Sequence, residues 1–342
     1  MKKIIALYLP QYHSFPENDF WWGEGFTEWT CLKKAKPLEK NQIIKYPTKE
    51  LGFYNLEKKE TRRLQSQIAK KNGIYGFCYY HYWFGDKILM QKPLELMLLD
   101  GEPDINFCLS WVNVSWTRKF NGGNDDMLQQ MKYFEEEEYE EHLQYLLNFF
   151  KNKNYIKINN KPLLVIYRIC DVLNLNKRIE YWKKNIKKYG FEGLYVVATL
   201  SNFLEDYSIY KNQIDAVLES QPNFHTFNGM TPLKINQKYK LYDIENAYDC
   251  IENQKKVFEV QFRGIFPNFD NSPRSPNRSF IFINENPKSF GKLLRKMINQ
   301  KEFGEFIFVN AWNEWGEQCV LEPNDKFGDQ YLKEISKLKI FV

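Results

Sequence analysis

The chain has 342 residues, a hydrophobic fraction of 43%, an aromatic fraction of 17% and a formal net charge of +5. This length holds one large domain or two average ones and buries a substantial core. The mild charge is spread over lysines along the whole chain, which excludes the concentrated basic surface typical of nucleic-acid-binding proteins.

Short apolar runs alternate with helical stretches along the chain. Strands are predicted at Ile4–Tyr8, Gly76–Tyr80, Asn106–Ser110, Leu163–Tyr167, Leu194–Ala198, Ala216–Glu219, Gly264–Pro267 and Phe306–Val309. Helices are predicted at about Lys58–Lys71, Leu94–Leu99, Glu138–Phe150, Lys177–Lys188, Ile244–Lys256, Lys288–Gln300 and Gly328–Leu338. Eight strands alternating with helices predict an α/β fold, a (β/α)8 TIM barrel forming a single domain over residues 1–342.

A doubly wound sheet is the alternative fold. It would usually carry a glycine-rich phosphate loop after an early strand, and the sequence has neither GxGxxG nor GxxxxGK[ST]. Long insertions at Gln11–Tyr54 and Asn113–Met131 follow the first and third predicted strands. In a barrel both insertions would lie on the face that carries the active site.

The N-terminal segment Met1–Pro10 resembles the start of a signal peptide, but it is short and has no small-residue cleavage site. It is interpreted as the first strand. No stretch approaches the length of a transmembrane span. The six cysteines form no CxxC pair and lie mostly in apolar runs, which favours reduced thiols and a cytoplasmic location.

A motif beyond the last predicted strand places two carboxylates beside tryptophans, in the run Trp312-Asn313-Glu314-Trp315-Gly316-Glu317. Paired carboxylates perform glycoside chemistry, and tryptophan faces stack on sugar rings. In parallel barrels the chemistry lies beyond the carboxyl ends of the strands. Glu314 and Glu317 are therefore the candidate catalytic residues, although two glutamates on an arbitrary surface loop are usually only solvated.

Aromatic and polar side chains also follow most of the other predicted strands. Buried Trp and Tyr need partners for their polar groups, and a carbohydrate cleft supplies them through water or sugar hydroxyls. The candidate substrate-binding residues are Tyr8, Gln11, Trp22, Glu28, Trp29, Tyr80, His81, Trp83, Trp111, Asn113, Trp116, Glu219, Asp270, Asn313 and Trp315. For several of them a structural role is the alternative: Tyr8 and Tyr80 as caps of the core, Trp22 in loop packing, Asp270 as a helix cap.

Metal and covalent-triad chemistry find little support in the residues. The chain has four histidines, none with a partner at metal-ligand spacing, so no metal is expected. A serine or cysteine triad lacks its motif, since GxSxG is absent. No cofactor is therefore expected.

Seven segments together resemble the WbsX family of bacterial surface-polysaccharide loci. They are Leu7–His13, Asn18–Trp22, Gly25–Trp29, Gly76–Phe84, Trp116–Arg118, Asn310–Glu317 and Leu321–Pro323. Sequences of this family, often labelled glycosyltransferases, are similar to those of glycoside hydrolase family 99, the endo-α-mannosidases and endo-α-mannanases. The resemblance implies a (β/α)8 barrel without a metal requirement.

The resemblance also implies separate roles for the two carboxylates. Glu314 would be the general base that deprotonates the sugar 2-hydroxyl, giving a 1,2-anhydro intermediate. Glu317 would be the general acid/base, and the outcome would be net retention. One departure concerns the segment Asn113-Val114-Ser115-Trp116, where the family reads Asn-Glu-Asn-Trp. The substrate contacts at that edge are therefore in doubt.

Three functions are consistent with the sequence. The first is a glycosidase or transglycosidase acting on a bacterial surface oligo- or polysaccharide, or on its lipid-linked precursor, which would bring peripheral contact with a membrane. The second is a glycosyltransferase, although Asp125-Asp126 and Asp270-Asn271 are poor substitutes for a DxD motif. The third is a non-catalytic glycan-binding barrel. The identity of the sugar, its linkage and the oligomeric state are not predicted.

Overall fold

Eight parallel strands with apolar side chains on both faces form the centre of the protein. The computed structural model describes residues 2–200 and 206–338. The barrel strands are β1 (Lys3–Tyr8), β2 (Gly76–Trp83), β3 (Asn106–Trp111), β4 (Lys161–Ile166), β5 (Tyr195–Thr199), β6 (Ala216–Leu218), β7 (Gln261–Ile265) and β8 (Phe306–Val309). Each pairs in parallel with the next, and β8 pairs with β1 with Ile307 opposite Ile4. The ring is closed, which confirms the predicted TIM barrel.

Most helices pack around the outside of the barrel, and the first two contribute Trp22 and Glu28 at its mouth. The helices are α1 (Pro16–Trp22), α2 (Glu28–Lys34), α3 (Lys59–Lys71), α4 (Lys92–Asp100), α5 (Glu136–Phe150), α6 (Leu175–Asn185), α7 (Phe224–Asn228), α8 (Ile244–Glu252), α9 (Pro287–Asn299) and α10 (Gln330–Ser336). In the described part of the connection from β5 to β6, only the 3₁₀ turn Tyr207–Tyr210 is helical. None of the helices in the described ranges is long and apolar enough to cross a bilayer.

Helix α9 shows how the sequence forms these elements. Pro287 stands at its first turn, and the side chain of Asn286 caps the helix by accepting a hydrogen bond from the backbone N–H of Lys288. Phe290, Leu294 and Met297 recur at helical spacing and are buried against the barrel. The same apolar periodicity made most of the helices predictable.

Strand β7 begins three residues earlier than the sequence predicts. Gln261 and Arg263 are polar, yet both are completely buried in this strand. Their polar groups bind the carboxylate of Glu219, which follows β6. A polar residue is not expected in a core strand unless it has such a partner. The partner follows a different strand, so this boundary depends on tertiary contact.

Smaller elements lie in the connections. Short strands occur at Ile88–Leu89, Trp116–Thr117, Met127–Gln129, Lys157–Ile158, Lys234–Ile235, Tyr239–Asp243, Ser279–Ile283, Asn313–Glu314 and Cys319–Val320. Further 3₁₀ turns occur at Arg118–Asn121, Ile169–Asp171, Ile186–Tyr189 and Trp315–Glu317. The strands at Lys234–Ile235, Tyr239–Asp243 and Ser279–Ile283 form a separate three-stranded sheet that the sequence analysis missed.

Long connections rise above the carboxyl ends of the strands. The insertions after β1 and β3 were predicted, and those after β6 (219–260) and β7 (266–286) are comparably long. Together these four connections surround the mouth of the barrel, where side chains from several strands converge.

Candidate active site

A cleft of about 440 Å³ opens at the carboxyl ends of the barrel strands. Its walls combine aromatic and polar side chains from β2 itself and from the connections after β1, β3, β4, β6, β7 and β8. Glu314 and Glu317 lie at its base, and Trp22, Tyr80 and Trp116 contribute aromatic walls. A concave site of mixed apolar and polar lining is typical of ligand binding.

The connection after β8 directs both glutamates into this cleft. Glu314 ends the short strand Asn313–Glu314, which pairs antiparallel with Cys319–Val320. The residues between these strands form the 3₁₀ turn Trp315–Glu317. In a 3₁₀ turn, residues three apart point to the same side, so Glu317 comes beside Glu314. The side chain of Glu317 is 25% exposed and that of Glu314 is 7% exposed.

Arg274, from the connection after β7, joins the two carboxylates. Its Nη1 donates to Glu317 Oε1 at 2.8 Å, and its Nη2 donates to Glu314 Oε1 at 2.6 Å. Nη2 also donates to Glu28 Oε2 at 2.9 Å. One guanidinium therefore faces three carboxylates, and the site carries excess negative charge whenever all three are ionised.

Burial raises the pKa of both candidate catalytic groups. Desolvation raises the pKa of Glu314 to about 8, Arg274 opposes the rise, and the neighbouring Glu317 and Glu28 add to it. Desolvation likewise raises the pKa of Glu317, with Arg274 opposing and Glu28 adding. The pair therefore retains a proton near neutral pH, as a site that works with one acid and one base requires.

Buried hydrogen bonds hold the turn that carries the pair. The side chain of Asn313 accepts from Leu9 N at 2.8 Å and donates to Leu9 O at 3.0 Å. The hydroxyl of Tyr12 donates to Asn313 O and accepts from Trp315 N. Trp315 Nε1 donates to Glu322 Oε2 at 2.8 Å. Asn313 and Trp315 thus position the carboxylates from below and do not line the cleft.

Gly316 is required by the close approach of the turn to α2. A Cβ added at this position would lie 2.1 Å from Glu28 Oε2 and 3.2 Å from Arg274 Nε. We expect Gly316→Ala to displace the Glu28–Arg274 contact and to lower kcat/KM by about 10²-fold, the usual effect of a misplacement of roughly 1 Å. Steady-state kinetics measure this effect. Gly328→Ala is the control for backbone strain alone, because Gly328 has φ +57° and its added Cβ would meet no atom within 4 Å. Equal activities per folded molecule of the two variants would contradict the prediction.

Seven of the residues predicted from sequence line the cleft together. They are Gln11, Trp22, Glu28, Tyr80, Trp116, Glu314 and Glu317. They come from strand β2 and from the three connections after β1, β3 and β8, which are distant in sequence. Local sequence patterns do not show that these residues meet. They meet because the barrel is closed.

Three residues of β2 and β3 that were predicted to bind substrate do not face the cleft. Tyr80 faces the cleft, whereas His81 and Trp83 point to the helix layer, because successive side chains of a strand alternate. His81 Nε2 lies 2.9 Å from Nε2 of His142, and Trp83 stacks on the same ring with centroids 4.5 Å apart. Trp111 is buried and donates to Trp83 O. Burial lowers the pKa of His81 to about 3, so this imidazole is neutral.

Two predicted residues of the first connection and strand are also core residues. The hydroxyl of Tyr8 donates to Gln65 Oε1 on α3 at 2.6 Å. Trp29 packs on Tyr12 and donates through Nε1 to Tyr54 O at 2.8 Å. The expected sugar contact is therefore corrected to packing between the barrel and its outer layer.

The remaining predicted polar residues have their hydrogen bonds satisfied inside the protein. Asn113 binds the backbone of Arg168 through both ends of its amide. Glu219 is fully buried against Arg263. Asp270 accepts from Gln42 Nε2 at 2.6 Å. None of these three lines the cleft, so their expected contact with substrate is corrected to a structural role.

Several cleft residues were missed by the sequence analysis. Tyr82, Tyr167, Arg168, Gln221, Asn310 and Arg274 all line the cleft. The alternation of β2 could have identified Tyr82, which stands two residues after Tyr80 on the same face. No local pattern marks Arg274, whose partners are remote in sequence.

The segment that departs from the family pattern forms an apolar edge. Val112 and Val114 line the cleft, next to Trp116. Ser115 accepts a hydrogen bond from Met131 N at 2.9 Å and so supports the connection after β3. Within the described ranges, no group of three His, Cys, Asp or Glu side chains is arranged to hold a metal ion.

Comparison with known families matches nearly the whole chain. The family described as Glycosyltransferase WbsX matches residues 4–335. Two curated relatives, the uncharacterized WxcX proteins of Xanthomonas campestris pv. campestris strains ATCC 33913 and B100, are 28% identical over 344 residues. That alignment covers 96% of this chain and 48% of each relative, so the chain spans about half the length of the curated relatives it matches.

Solved structures share the fold at low sequence identity. A GH99 endo-α-mannosidase from Bacteroides thetaiotaomicron superposes with a TM-score of 0.60 and 14% identity, covering 98% of this chain and 96% of the other. The same type of enzyme in complex with bis-tris-propane gives 0.57 and 15%, with coverage of 98% and 95%. A glycoside hydrolase-like protein gives 0.59 and 14%, with coverage of 98% and 93%.

Proposed function

The chain belongs to the WbsX family, and on that premise we propose that it cleaves or transglycosylates glycosidic bonds of a bacterial surface polysaccharide or its precursor. The family and the fold support an enzyme that acts on glycans. The more specific proposal, that this enzyme is a glycosidase, rests on one observation. Two buried carboxylates with raised pKa values share one guanidinium at the base of an aromatic cleft.

The first chemical step uses both carboxylates and the 2-hydroxyl of the substrate. The ionised Glu314 removes the proton of this hydroxyl, and the sugar oxygen O2 bonds to the anomeric carbon. The glycosidic bond breaks, and Glu317 gives its proton to the leaving oxygen. The products are a 1,2-anhydro sugar, a protonated Glu314 and an ionised Glu317, so the pair still holds one proton.

The second step restores the starting state. Glu317 takes a proton from water, or from the hydroxyl of an acceptor sugar, as that oxygen attacks the anomeric carbon. The bond from this carbon to O2 breaks, and Glu314 returns its proton to O2. Two displacements at one carbon give net retention, and a single shared proton throughout agrees with the raised pKa values of the pair.

Arg274 is assigned a positioning and electrostatic role in this reaction. Its guanidinium holds one oxygen of each carboxylate and compensates the negative charge, which moves from Glu314 to Glu317 as the first step proceeds. Glu28 in turn fixes the guanidinium from α2. The aromatic side chains Trp22, Tyr80 and Trp116 offer faces and edges to sugar rings in the same cleft.

The test of this function is turnover of the producing organism's own polysaccharide, without added metal or nucleotide sugar. Mass spectrometry of the products, with NMR of the new anomeric centre, should show cleaved or transferred glycan with retained configuration. If the substrate is lipid-linked, the proposal brings the protein into peripheral contact with the membrane through that glycan. Absence of any product from the polysaccharide and from its lipid-linked precursor would overturn the proposal.

Glycosyl transfer from an activated donor is the second candidate function. The observation that favours it is the description of the matching family as a glycosyltransferase. It predicts binding or hydrolysis of a sugar nucleotide, measured by calorimetry or by release of the nucleotide. Turnover of a sugar nucleotide, combined with inactivity on preformed glycan, would replace the glycosidase by this second function.

Arg274→Gln is expected to move both limbs of the pH–activity profile upward by about one to three pH units. The guanidinium lowers the pKa of Glu314 and of Glu317, and the amide does not. Each carboxyl therefore keeps its proton to higher pH in the variant. Arg274→Lys keeps the charge and should give a smaller displacement. A profile that does not move in Arg274→Gln would show that the arginine does not control the pair.

A further inference from the structure

A second cavity of about 240 Å³ adjoins the catalytic cleft. Arg274 and Glu317 line both spaces, so the two meet at the candidate acid/base. The new walls come from the connection after β3, with Lys119 and Gly122, and from the connection after β7, with Arg278. A group bound there would lie beside Glu317, the residue assigned to protonate the leaving oxygen.

Close contact between the two connections forms this cavity. Gly122 adopts φ +73°, and a Cβ there would lie 3.2 Å from Ser275 Oγ. A Cβ on Gly123 would lie 2.9 Å from Arg118 O. Gly122 therefore allows the connection after β3 to approach the one after β7, and Gly123 allows the tight turn within the connection after β3.

The lining of the cavity carries more positive than negative groups. Three cationic side chains, Lys119, Arg274 and Arg278, face one carboxylate, Glu317. Arg274 is already bound by three carboxylates. Lys119 pairs with Asp125, but both side chains are exposed, and such surface pairs exchange readily.

Arg278 is the group whose charge is uncompensated. Its side chain is exposed, and among residues 2–200 and 206–338 it has neither an ion pair nor a side-chain hydrogen bond. Arginine presents paired N–H donors that match the two oxygens of a carboxylate or phosphate. The cavity thus offers a cation without a protein partner beside the candidate acid.

We propose that this second cavity is an anion subsite that binds a carboxylate or phosphate on the leaving-group side of the glycan. The inference deepens the proposed function and rests on it, since the leaving-group side is defined by the role of Glu317. It names the substrate class as an acidic glycan. The anion is either the carboxylate of a uronic acid or the phosphate of a sugar phosphate or lipid-linked precursor.

An anion in this subsite would also assist the reaction. A negative charge near Glu317 disfavours its ionised form and keeps the proton on the carboxyl that must give it to the leaving oxygen. Burial raises the pKa of both Glu314 and Glu317, so without such an anion their shared proton is not confined to Glu317. Binding of an acidic substrate would therefore shift the shared proton towards the arrangement that the first step requires.

The experiment compares three probes by saturation-transfer NMR titration of the whole chain. They are methyl β-D-glucuronide, its neutral counterpart methyl β-D-glucoside, and glucose 1-phosphate. An anionic probe is expected to bind about tenfold more tightly than the glucoside, because an added hydrogen bond to a charged group typically has this effect. A preference for the glucuronide identifies a uronic acid as the source, and a preference for the phosphate identifies a phosphorylated glycan.

Three variants make the test specific. Arg278→Gln should abolish the preference for the anionic probe, whereas Arg295→Gln, an exposed arginine on α9, should preserve it. Glu317→Gln removes the carboxylate in the cavity wall and should tighten binding of the anion while turnover is lost. Equal binding of all three probes to the unmodified chain, or a preference that persists in Arg278→Gln, would overturn the subsite.

The two proposals fail in different ways. Turnover of glycan without any preference for anions overturns the anion subsite and leaves the glycosidase intact. Anion binding that depends on Arg278, without turnover of any acidic or neutral glycan, overturns the glycosidase and with it the leaving-group assignment. Circular dichroism of Arg278→Gln checks that the variant is folded, which is expected because the side chain is exposed and has no partner in the described chain.

Discussion

Glu317→Gln is expected to lower kcat by about 10²–10⁴-fold on glycosides with poor leaving groups, the range that general acid catalysis contributes. An amide of the same shape keeps the hydrogen bond to Arg274 within reach but has no proton to give to the leaving oxygen. On glycosides with a good leaving group, such as a dinitrophenolate, the loss in the first step should be small. Kinetics over a series of aryl leaving groups measure this difference.

Glu314→Gln separates the two roles. The base acts on the substrate 2-hydroxyl, so its loss should be large and nearly independent of the leaving group. Burial raises the pKa of Glu314 to about 8. The competing assignment is therefore Glu314 as the acid and Glu317 as the base. If Glu314→Gln showed the steep dependence on the leaving group and Glu317→Gln did not, the acid and base would be exchanged.

A matched control for both variants is Glu302→Gln. Glu302 is exposed, and the hydrogen bond recorded at this position uses its backbone carbonyl. It should retain full activity on every leaving group. Full activity of Glu317→Gln on poor leaving groups would contradict the assignment of the catalytic pair.

Glu219→Ala is expected to destabilise the fold by about 3–5 kcal/mol, as the loss of one partner of a buried ion pair does. Glu219 and Arg263 are both completely buried, and Glu219 accepts from Arg263 Nε at 3.0 Å. The same carboxylate accepts from Gln261 Nε2 and from Gly264 N. Removing it leaves an arginine and an amide between β6 and β7 without their acceptor.

Urea denaturation followed by tryptophan fluorescence measures this loss. Glu252→Ala is the control, because Glu252 pairs with Lys296 at the surface and such pairs contribute about 1 kcal/mol or less. The folded fraction of Glu219→Ala should retain its kcat, since the side chain does not line the cleft. A stable variant with lost turnover would instead return Glu219 to the substrate-binding residues predicted from sequence.

The contrast between Glu219 and Glu317 shows why a position after a barrel strand does not by itself identify a site residue. Both are carboxylates that follow a barrel strand, and the sequence analysis assigned both to the site. Glu317 lies in a turn that bends into the cleft. Glu219 is held within the barrel wall by the polar residues of the next strand. Glu219 directly follows β6, whereas Glu317 lies eight residues beyond the end of β8. The sequence does not show which of the two carboxylates turns into the cleft.

Alternation within a strand explains a second group of errors. The run Tyr80-His81-Tyr82-Trp83 was treated as one cluster, but its members face opposite sides of the wall. Tyr80 and Tyr82 line the cleft, and His81 and Trp83 contact His142 on α5. The correct division was available from the period of two, once the strand was known to extend to Trp83.

By itself, the sequence determined the closed barrel and the location of the carboxylate pair, because the eight apolar runs and the helical periodicity between most of them are local signals. Only the tertiary structure decided which polar side chains reach the cleft, that Arg274 joins Glu28, Glu314 and Glu317, and that a basic cavity adjoins the pair. These features depend on contacts between connections up to 246 residues apart. No local pattern of residues encodes such contacts, since they arise when the closing of the barrel brings the ends of its strands together.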